Sequence, residues 1–357
     1  MEKTKTKAAN TPVAIWLYIG VFMLVVQIVL GGITRLTESG LSITEWKPLT
    51  GALPPLNNAD WQAEFDKYKT TSQFQYIHAD FSLSDFKRIF FWEWLHRNWA
   101  RLMGLVFVVG FIYFLIRRKF KKEMIMPLLM LFFLGAIQGA IGWIMVKSGL
   151  VPEKMFVGHI QLAAHFMAAL LLLVYTFWFA LSLSINPSLF VINKSLKNFA
   201  IVILIILFFQ LIYGAFMAGL HAAVSAPTWP DINGQWVPSE MNRLHPVWEN
   251  WINNKITIQF IHRGLAYLIF ILTVIWWKNS IKQTGNRLFY IIRILPVLLV
   301  TIQVLLGIFT VVLSPYGNNL VYFGVAHQTV GILFLLSLIA VLFTVRNRET
   351  KYSLFRS

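Results

Sequence analysis

The amino-acid sequence predicts an all-α polytopic membrane protein, with eight transmembrane helices arranged as two pseudo-symmetric four-helix bundles in a parallel 4+4 repeat. Three observations predict it. Hydrophobic residues make up 57% of the 357 and charged residues only 13%, whereas soluble domains carry about a quarter charged. Apolar runs of roughly twenty residues recur, each long enough to cross about 30 Å of hydrocarbon. Similar segments also recur in the two halves of the chain at a nearly constant offset.

The apolar runs fall at 13–33, 90–116, 125–146, 157–183, 198–219, 256–277, 291–313 and 321–344. The connections after the second, fourth and sixth runs are short and basic: "RRKFKK" (117–122), Lys194 with Lys197, and Lys278, Lys282, Arg287 and Arg293. The segment after the eighth holds Arg346, Arg348, Lys351 and Arg356. With the lysines of "MEKTKTKAAN", these segments hold most of the 31 basic residues. Short basic loops stay on the cytoplasmic side, so both termini are expected there, which requires an even number of spans. The lysine-bearing N-terminus resembles neither a cleaved signal nor a transit peptide, and a bacterial inner (cytoplasmic) membrane location is expected. The net charge of +16 then reports topology, and no nucleic-acid partner is expected. The lipid bilayer is the surrounding partner, and a homo-oligomer is compatible with the sequence. The chain has no cysteine, which excludes disulfides and thiolate metal sites.

The halves, 1–190 and 191–357, correspond segment by segment. "HRNWARLMGLVFV" from His96 matches "HRGLAYLIFILTV" from His262, and "IQGAIGWIMVKSGL" from Ile137 matches "IQVLLGIFTVVLSP" from Ile302. "AAHFMAALLLLV" from Ala163 matches "VAHQTVGILFLL" from Val325. Span one fits span five more loosely, through Gln27 and Gln210. Both halves begin inside, so the repeat is parallel rather than inverted.

The matched segments place His96, His165, His262 and His327 near the outer starts of spans two, four, six and eight, about 10 Å along each helix. One histidine inside a span is as often a polar bridge between helices as a ligand. Four at one depth, in duplicate, favour ligation, because ionisable groups in hydrocarbon are costly and neutral imidazole binds metals. Zinc needs a third or fourth ligand nearby. Two facing imidazoles per half suit a haem held between helices. Glu93 shares a helix face with His96, whereas the position matching Glu93 is Gln259. An acid in one half only points to a reactive site there and an electron-transfer site in the other. Pairing of Glu93 with Arg97 or Arg101 is the structural alternative, against a role as proton acceptor or cation stabiliser. Arg97 and Arg263 repeat as well, and guanidinium groups there suit haem propionates or simple snorkelling equally. His159 lies on another face of its helix, and His78, His221 and His245 lie in outer loops, so none is expected as a ligand.

The outer loops, 34–89 and 220–255, are long enough to carry structure of their own. "DWQAEFDKY" in the first can form an amphipathic helix. Trp229, Trp236, Trp248 and Trp251 in the second suit an aromatic belt better than a cap over the pockets.

"EWLHRNWARLMG", "LTESGLSITEWKPLTGALPP" (36–55), "AGLHAAVS…WPDINGQWVP" (218–238) and the "AAH" and "VAH" histidines together resemble the haem A synthase family over essentially the whole chain. The resemblance implies oxidation of the haem O methyl group to a formyl group by successive hydroxylations, serving cytochrome oxidase biogenesis. It implies that His96 and His165 flank the iron of the substrate haem O, with Glu93 essential. It assigns His262 and His327 to the iron of a haem b cofactor. Lacking cysteine, the chain resembles the cysteine-less subclass. The enzyme making haem O and terminal oxidase assembly factors are partners that only the resemblance suggests. The other readings are a di-haem b-type electron-transfer protein that leaves its haems unmodified, and a transporter.

Overall fold

A computed structural model of the chain describes residues 11–45 and 50–347. The N-terminal lysine tail, residues 46–49, and Arg348, Lys351 and Arg356 lie outside the described residues.

Spans one to four are α1 (Thr11–Leu36), α4 (Leu83–Ile116), α5 (Lys122–Gly149) and α6 (His159–Ser184), with α2 (Asn58–Lys69) and α3 (Ser72–Tyr76) in the first outer loop. Spans five and six are α7 (Lys194–Gly219) and α9 (Lys255–Ile281), preceded by the single-turn α8 (Asn250–Asn253). Span seven is broken into α10 (Arg287–Ile292) and α11 (Leu295–Val312), and α12 (Asn319–Thr344) is span eight. Among the described residues, eight stretches are thus long and apolar enough to cross a membrane, and the chain is a multi-pass, all-α membrane protein. Two-residue strands β1 (Val191–Ile192) and β2 (Val345–Arg346) pair in parallel and tie the connection after α6 to the end of α12.

The helix boundaries depart from the apolar runs where capping chemistry decides. α4 starts seven residues before its apolar run. Ser82 accepts from the Asp85 amide while the Asp85 carboxylate accepts from the Ser82 amide, which satisfies two orphan donors reciprocally. At 34 residues α4 is about 50 Å long, more than hydrocarbon requires, so one end projects from the bilayer. Asn193 and Asn254 cap α7 and α9 in the same manner, each side chain accepting from the first turn. Span seven breaks ahead of Pro296 in the first turn of α11, where a residue lacking N–H costs least.

α1, α6 and α12 form the centre. α1 packs on α4, α6 and α12; α6 also packs on α5 and α7; α7 packs on α9, and α11 on α12 and α9. The Trp276 indole, buried in α9, donates to the Leu196 carbonyl of α7 at 2.9 Å. Gln328 on α12 donates to the Ile28 carbonyl on α1 at 2.7 Å, and Arg35 donates to the Ala218 carbonyl at the end of α7. Both bonds link the first half of the chain to the second. The expected amphipathic segment is α2. It lays Phe65 and Tyr68 against Phe86, Ile89 and Phe90 of α4's projecting end in a satellite core, so α2 docks on protein.

Candidate functional site

A cavity of about 980 Å³ runs through the protein and is lined by all four span histidines, His96, His165, His262 and His327. Each imidazole lodges against a glycine on a neighbouring helix. A Cβ placed on Gly31 would lie 3.2 Å from His96, and one on Gly142 2.8 Å from His165. The corresponding distances are 3.3 Å from Gly214 to His262 and 3.0 Å from Gly307 to His327. Four residues before each glycine, on the same helix face, stands a glutamine: Gln27, Gln138, Gln210 and Gln303. Three of their amides reach the imidazoles: Gln138 Nε2 lies 3.3 Å from His165 Nδ1, Gln210 Nε2 3.4 Å from His262 Nε2, and Gln303 Nε2 3.2 Å from His327 Nε2. The four Oε1 atoms are buried without a hydrogen-bond partner. Such atoms are rare in native interiors and call for a cause. From the sequence, Gln27 and Gln210 are legible only as markers of the repeat. The fourfold Gln-x-x-x-Gly spacing was the available signal for a histidine berth.

The second pair has the dimensions of a bis-imidazole site. The His262 and His327 ring centroids lie 6.4 Å apart, with planes at 68°. A metal about 2 Å from each nitrogen, with each ring centre about 1 Å further, spans about 6 Å. His327 Nδ1 sits 3.0 Å from the Gln303 carbonyl. That oxygen can only accept, so Nδ1 carries the hydrogen, and the Nε2 lone pair, which the Gln303 amide meets here at 3.2 Å, is the one a ligand would take in that amide's place. Arg263 Nε and His262 Nδ1 are buried beside the cavity without a partner. The donors present therefore fit a haem in this half. Among the described residues no three His, Cys, Asp or Glu side chains gather as metal ligands.

Glu93 and Gln259 occupy matched positions and meet opposite partners. Glu93, 2% exposed, accepts from the Ser42 hydroxyl and the Ile43 amide, both at 2.7 Å to Oε2, and from Arg97 at 2.5 Å to Oε1. Gln259, fully buried, instead donates through Nε2 to the carbonyls of Ala222 at 2.7 Å and Ala226 at 3.3 Å, while its Oε1 accepts from Arg263. The first outer loop thus presents donors, which call for an acceptor-only carboxylate, and the second presents carbonyls, which call for an amide. The pairing of Glu93 with Arg97 is present; Arg101 bonds to Asn98 at 2.8 Å instead. Arg97 also donates to the carbonyls of Ile43 at 2.9 Å and Glu45 at 3.1 Å. Arg263 does likewise to Ala226 at 3.1 Å and Asp231 at 2.8 Å. Both arginines clamp their loops and line the cavity. Any propionate contact draws on the N–H groups left over.

At the outer mouth, Glu38 lies 3.3 Å from His78 Nε2 and 3.9 Å from His221 Nε2. The hydrogen bond from His78 lowers the Glu38 carboxyl from its ordinary value, against an opposing effect of burial. Burial, helped by Arg35, pushes the His221 imidazole down to about 4, so it is neutral at physiological pH. His221 and Glu38 line the cavity, and so does Trp229, whose indole donates to the Tyr267 hydroxyl at 3.0 Å. Trp236, Trp248 and Trp251 are exposed. His159 is absent from the cavity lining and packs edge-on against Phe216 at 5.6 Å.

The profile of a family described as a cytochrome oxidase assembly protein matches residues 14–339. The heme A synthase of Wolbachia pipientis wMel is 39% identical over 341 residues, 95% of this chain and 94% of that protein. That of Parvibaculum lavamentivorans is 44% identical over 282 residues, covering 79% and 81%. That of Paracoccus denitrificans is 38% identical over 348 residues, covering 93% and 87%.

The donor pattern around Glu93 has a measurable consequence. Glu93→Gln turns an amide NH₂ toward donors or forfeits one bond, a loss of about 1–3 kcal/mol for a buried group. Amide hydrogen exchange at residues 39–45 is expected to rise several-fold while the spans stay protected. Unchanged exchange there would show that Glu93 does not hold the loop.

Proposed function

The chain belongs to the haem A synthase family, and on that premise we propose how its residues divide the work of a haem-modifying oxidoreductase that converts haem O to haem A. The likeness over nearly the full length carries the activity. The observation that divides the work between the halves is the inversion at Glu93 and Gln259, which sets an acid beside one histidine pair only. The 1–190 half is assigned the substrate haem, with its iron between His96 and His165. The 191–357 half is assigned a resident haem b between His262 and His327, where it would supply one-electron transfer.

In this reading the Gln-x-x-x-Gly ledges set the depth and rotation of the imidazoles. With His327 Nδ1–H bonded to the Gln303 carbonyl, Nε2 is the ring nitrogen a ligand would use, in place of the Gln303 amide that meets it. Arg97 and Arg263 stand at the cavity wall, where their remaining N–H groups suit propionate carboxylates. Glu93 presents a carboxylate next to the substrate's reacting edge, where it can accept a proton as the methyl carbon is hydroxylated. Ser42, Ile43 and Arg97 hold that carboxylate in one orientation. Each hydroxylation takes two electrons from the methyl carbon and adds an oxygen atom, both exchanged with co-reactants from outside the protein; two give a geminal diol, which loses water to leave the formyl group. The di-haem electron-transfer reading is disfavoured, because a relay that leaves its haems unchanged has no use for an acid at one site alone.

Pigments extracted from cells making this chain together with haem O are expected to contain haem A. With Glu93→Gln, haem O or hydroxylated intermediates should accumulate, haem A should fall at least a hundredfold, and the resident haem should persist. Wild-type yields of haem A from that variant would remove Glu93 from the chemistry, and finding only haem B in both would sink the enzyme reading. His262→Ala and His327→Ala are each expected to lower haem b content to a small fraction of wild type. A full low-spin bis-imidazole spectrum in both would overturn the second-half assignment.

Location in the bacterial inner membrane with both termini cytoplasmic is supported by the basic connections at 117–122, 194–197 and 278–293. Reporters fused after residues 118 and 284 should read cytoplasmic, and those in 57–82 and 228–250 periplasmic. The opposite pattern would invert the topology.

A further inference from the structure

The two halves differ in side-chain size at three matched positions near the cavity. By the offsets of the His-Arg and Ile-Gln segments, Gly104 corresponds to Phe270, Gly135 to Val300 and Gly139 to Val304. Gly104 on α4 and Gly135 and Gly139 on α5 line the cavity and are exposed, and a Cβ on any of them would meet no atom within 4 Å. Val300 is 2% exposed, and Phe270 and Val304 are half-buried.

The helices follow the side chains. α9 and α11 pack directly in the second half, whereas α4 and α5 scarcely approach each other. They meet through Phe132 of α5 against Phe107 at 4.5 Å and Phe111 at 5.3 Å, toward the ends that the 117–121 connection joins. Beyond that aromatic closure the glycines leave a cleft. It adjoins the His165 berth at Gln138 and Gly142, and its three glycines are exposed. Gln138 Oε1, one residue from Gly139, is a buried acceptor without a partner on this wall.

Two ligands are assigned to this cavity, and they differ in one respect relevant here. Haem O and protohaem share the macrocycle and both propionates, but haem O bears a hydroxyethylfarnesyl chain where protohaem has a vinyl group. A ligand with an isoprenoid chain needs a channel leading away from the macrocycle's edge, and one without it is better held by filled walls. Hydrocarbon gains little by leaving lipid for an equally apolar wall, so the discrimination rests on shape and room rather than hydrophobic gain.

We propose that the glycine-lined cleft between α4 and α5 holds the isoprenoid chain of haem O, and that Phe270, Val300 and Val304 close the equivalent space in the second half. The cleft selects the tail-bearing haem for the first pair of histidines and lets the chain pass sideways from the bilayer. This rests on the assignment of haem O to the first half and haem b to the second.

The test is titration of the purified full-length protein, resident haem in place, with haem O and separately with protohaem, following the Soret band. Wild type is compared with Gly139→Ala and with Gly135→Val/Gly139→Val. Haem O affinity is expected to fall at least tenfold in the double variant and by less in Gly139→Ala. Protohaem affinity and the second-half spectrum should stay at wild-type values. Haem O binding at wild-type strength in the double variant overturns the proposal, as does an equal loss for both haems, which would mean that the macrocycle itself occupies the cleft. If the double variant loses its second-half spectrum, Gly139→Ala decides by the same ratio of haem O to protohaem affinity. Failure of the wild type to form haem A strikes the functional reading instead, and the titration ratio still reports separately on the cleft.

Discussion

A polar side chain inside hydrocarbon must find its partner on a neighbouring helix, and the structure is organised around meeting that demand for four imidazoles. Each is received by a glycine that lets the ring approach a helix backbone closely, and a glutamine stands one turn away. The arrangement uses two helices per histidine, one carrying the ring and one carrying the ledge. Four rings therefore engage eight helices, and the depth of the histidines in their spans sets the level of the cavity.

The outer loops complete the site. They are clamped by Arg97 and Arg263 through backbone carbonyls, and each offers the helix residue four positions before its arginine a distinct set of partners. In the first loop those partners are N–H and O–H groups, in the second carbonyls, so the choice of carboxylate or amide is written into the loop as well as the helix. That explains the projecting end of α4. Its capped extension at Ser82 carries the surface on which α2 docks, and the docked first loop brings Ser42 and Ile43 to Glu93.

Matched segments recur in the two halves of the chain, and at a few matched positions the residues differ in kind. An acid against an amide gives the two sites opposite hydrogen-bond demands. Three glycines against Phe270, Val300 and Val304 separate a wall that is open from one that is packed. Both differences leave the glutamine and the glycine of each ledge in place, Gly139 and Val304 being the residues that directly follow Gln138 and Gln303.

The sequence by itself determined the class of fold, the eight spans, the four histidines and the asymmetry at Glu93. Each of these is local: hydrophobicity over twenty residues, periodicity along one helix, or a residue compared with its match in the other half. Helix ends were less legible, because Ser82, Asn193, Asn254 and Pro296 decide them through capping and backbone donors rather than hydropathy. Only the tertiary structure decided that Glu93 accepts where Gln259 donates, that His221 and Trp229 reach the cavity while His159 does not, and that α4 stands apart from α5. Those facts depend on which groups from segments dozens to hundreds of residues apart come within about 3 Å of each other, and that information exists only once the helices are packed.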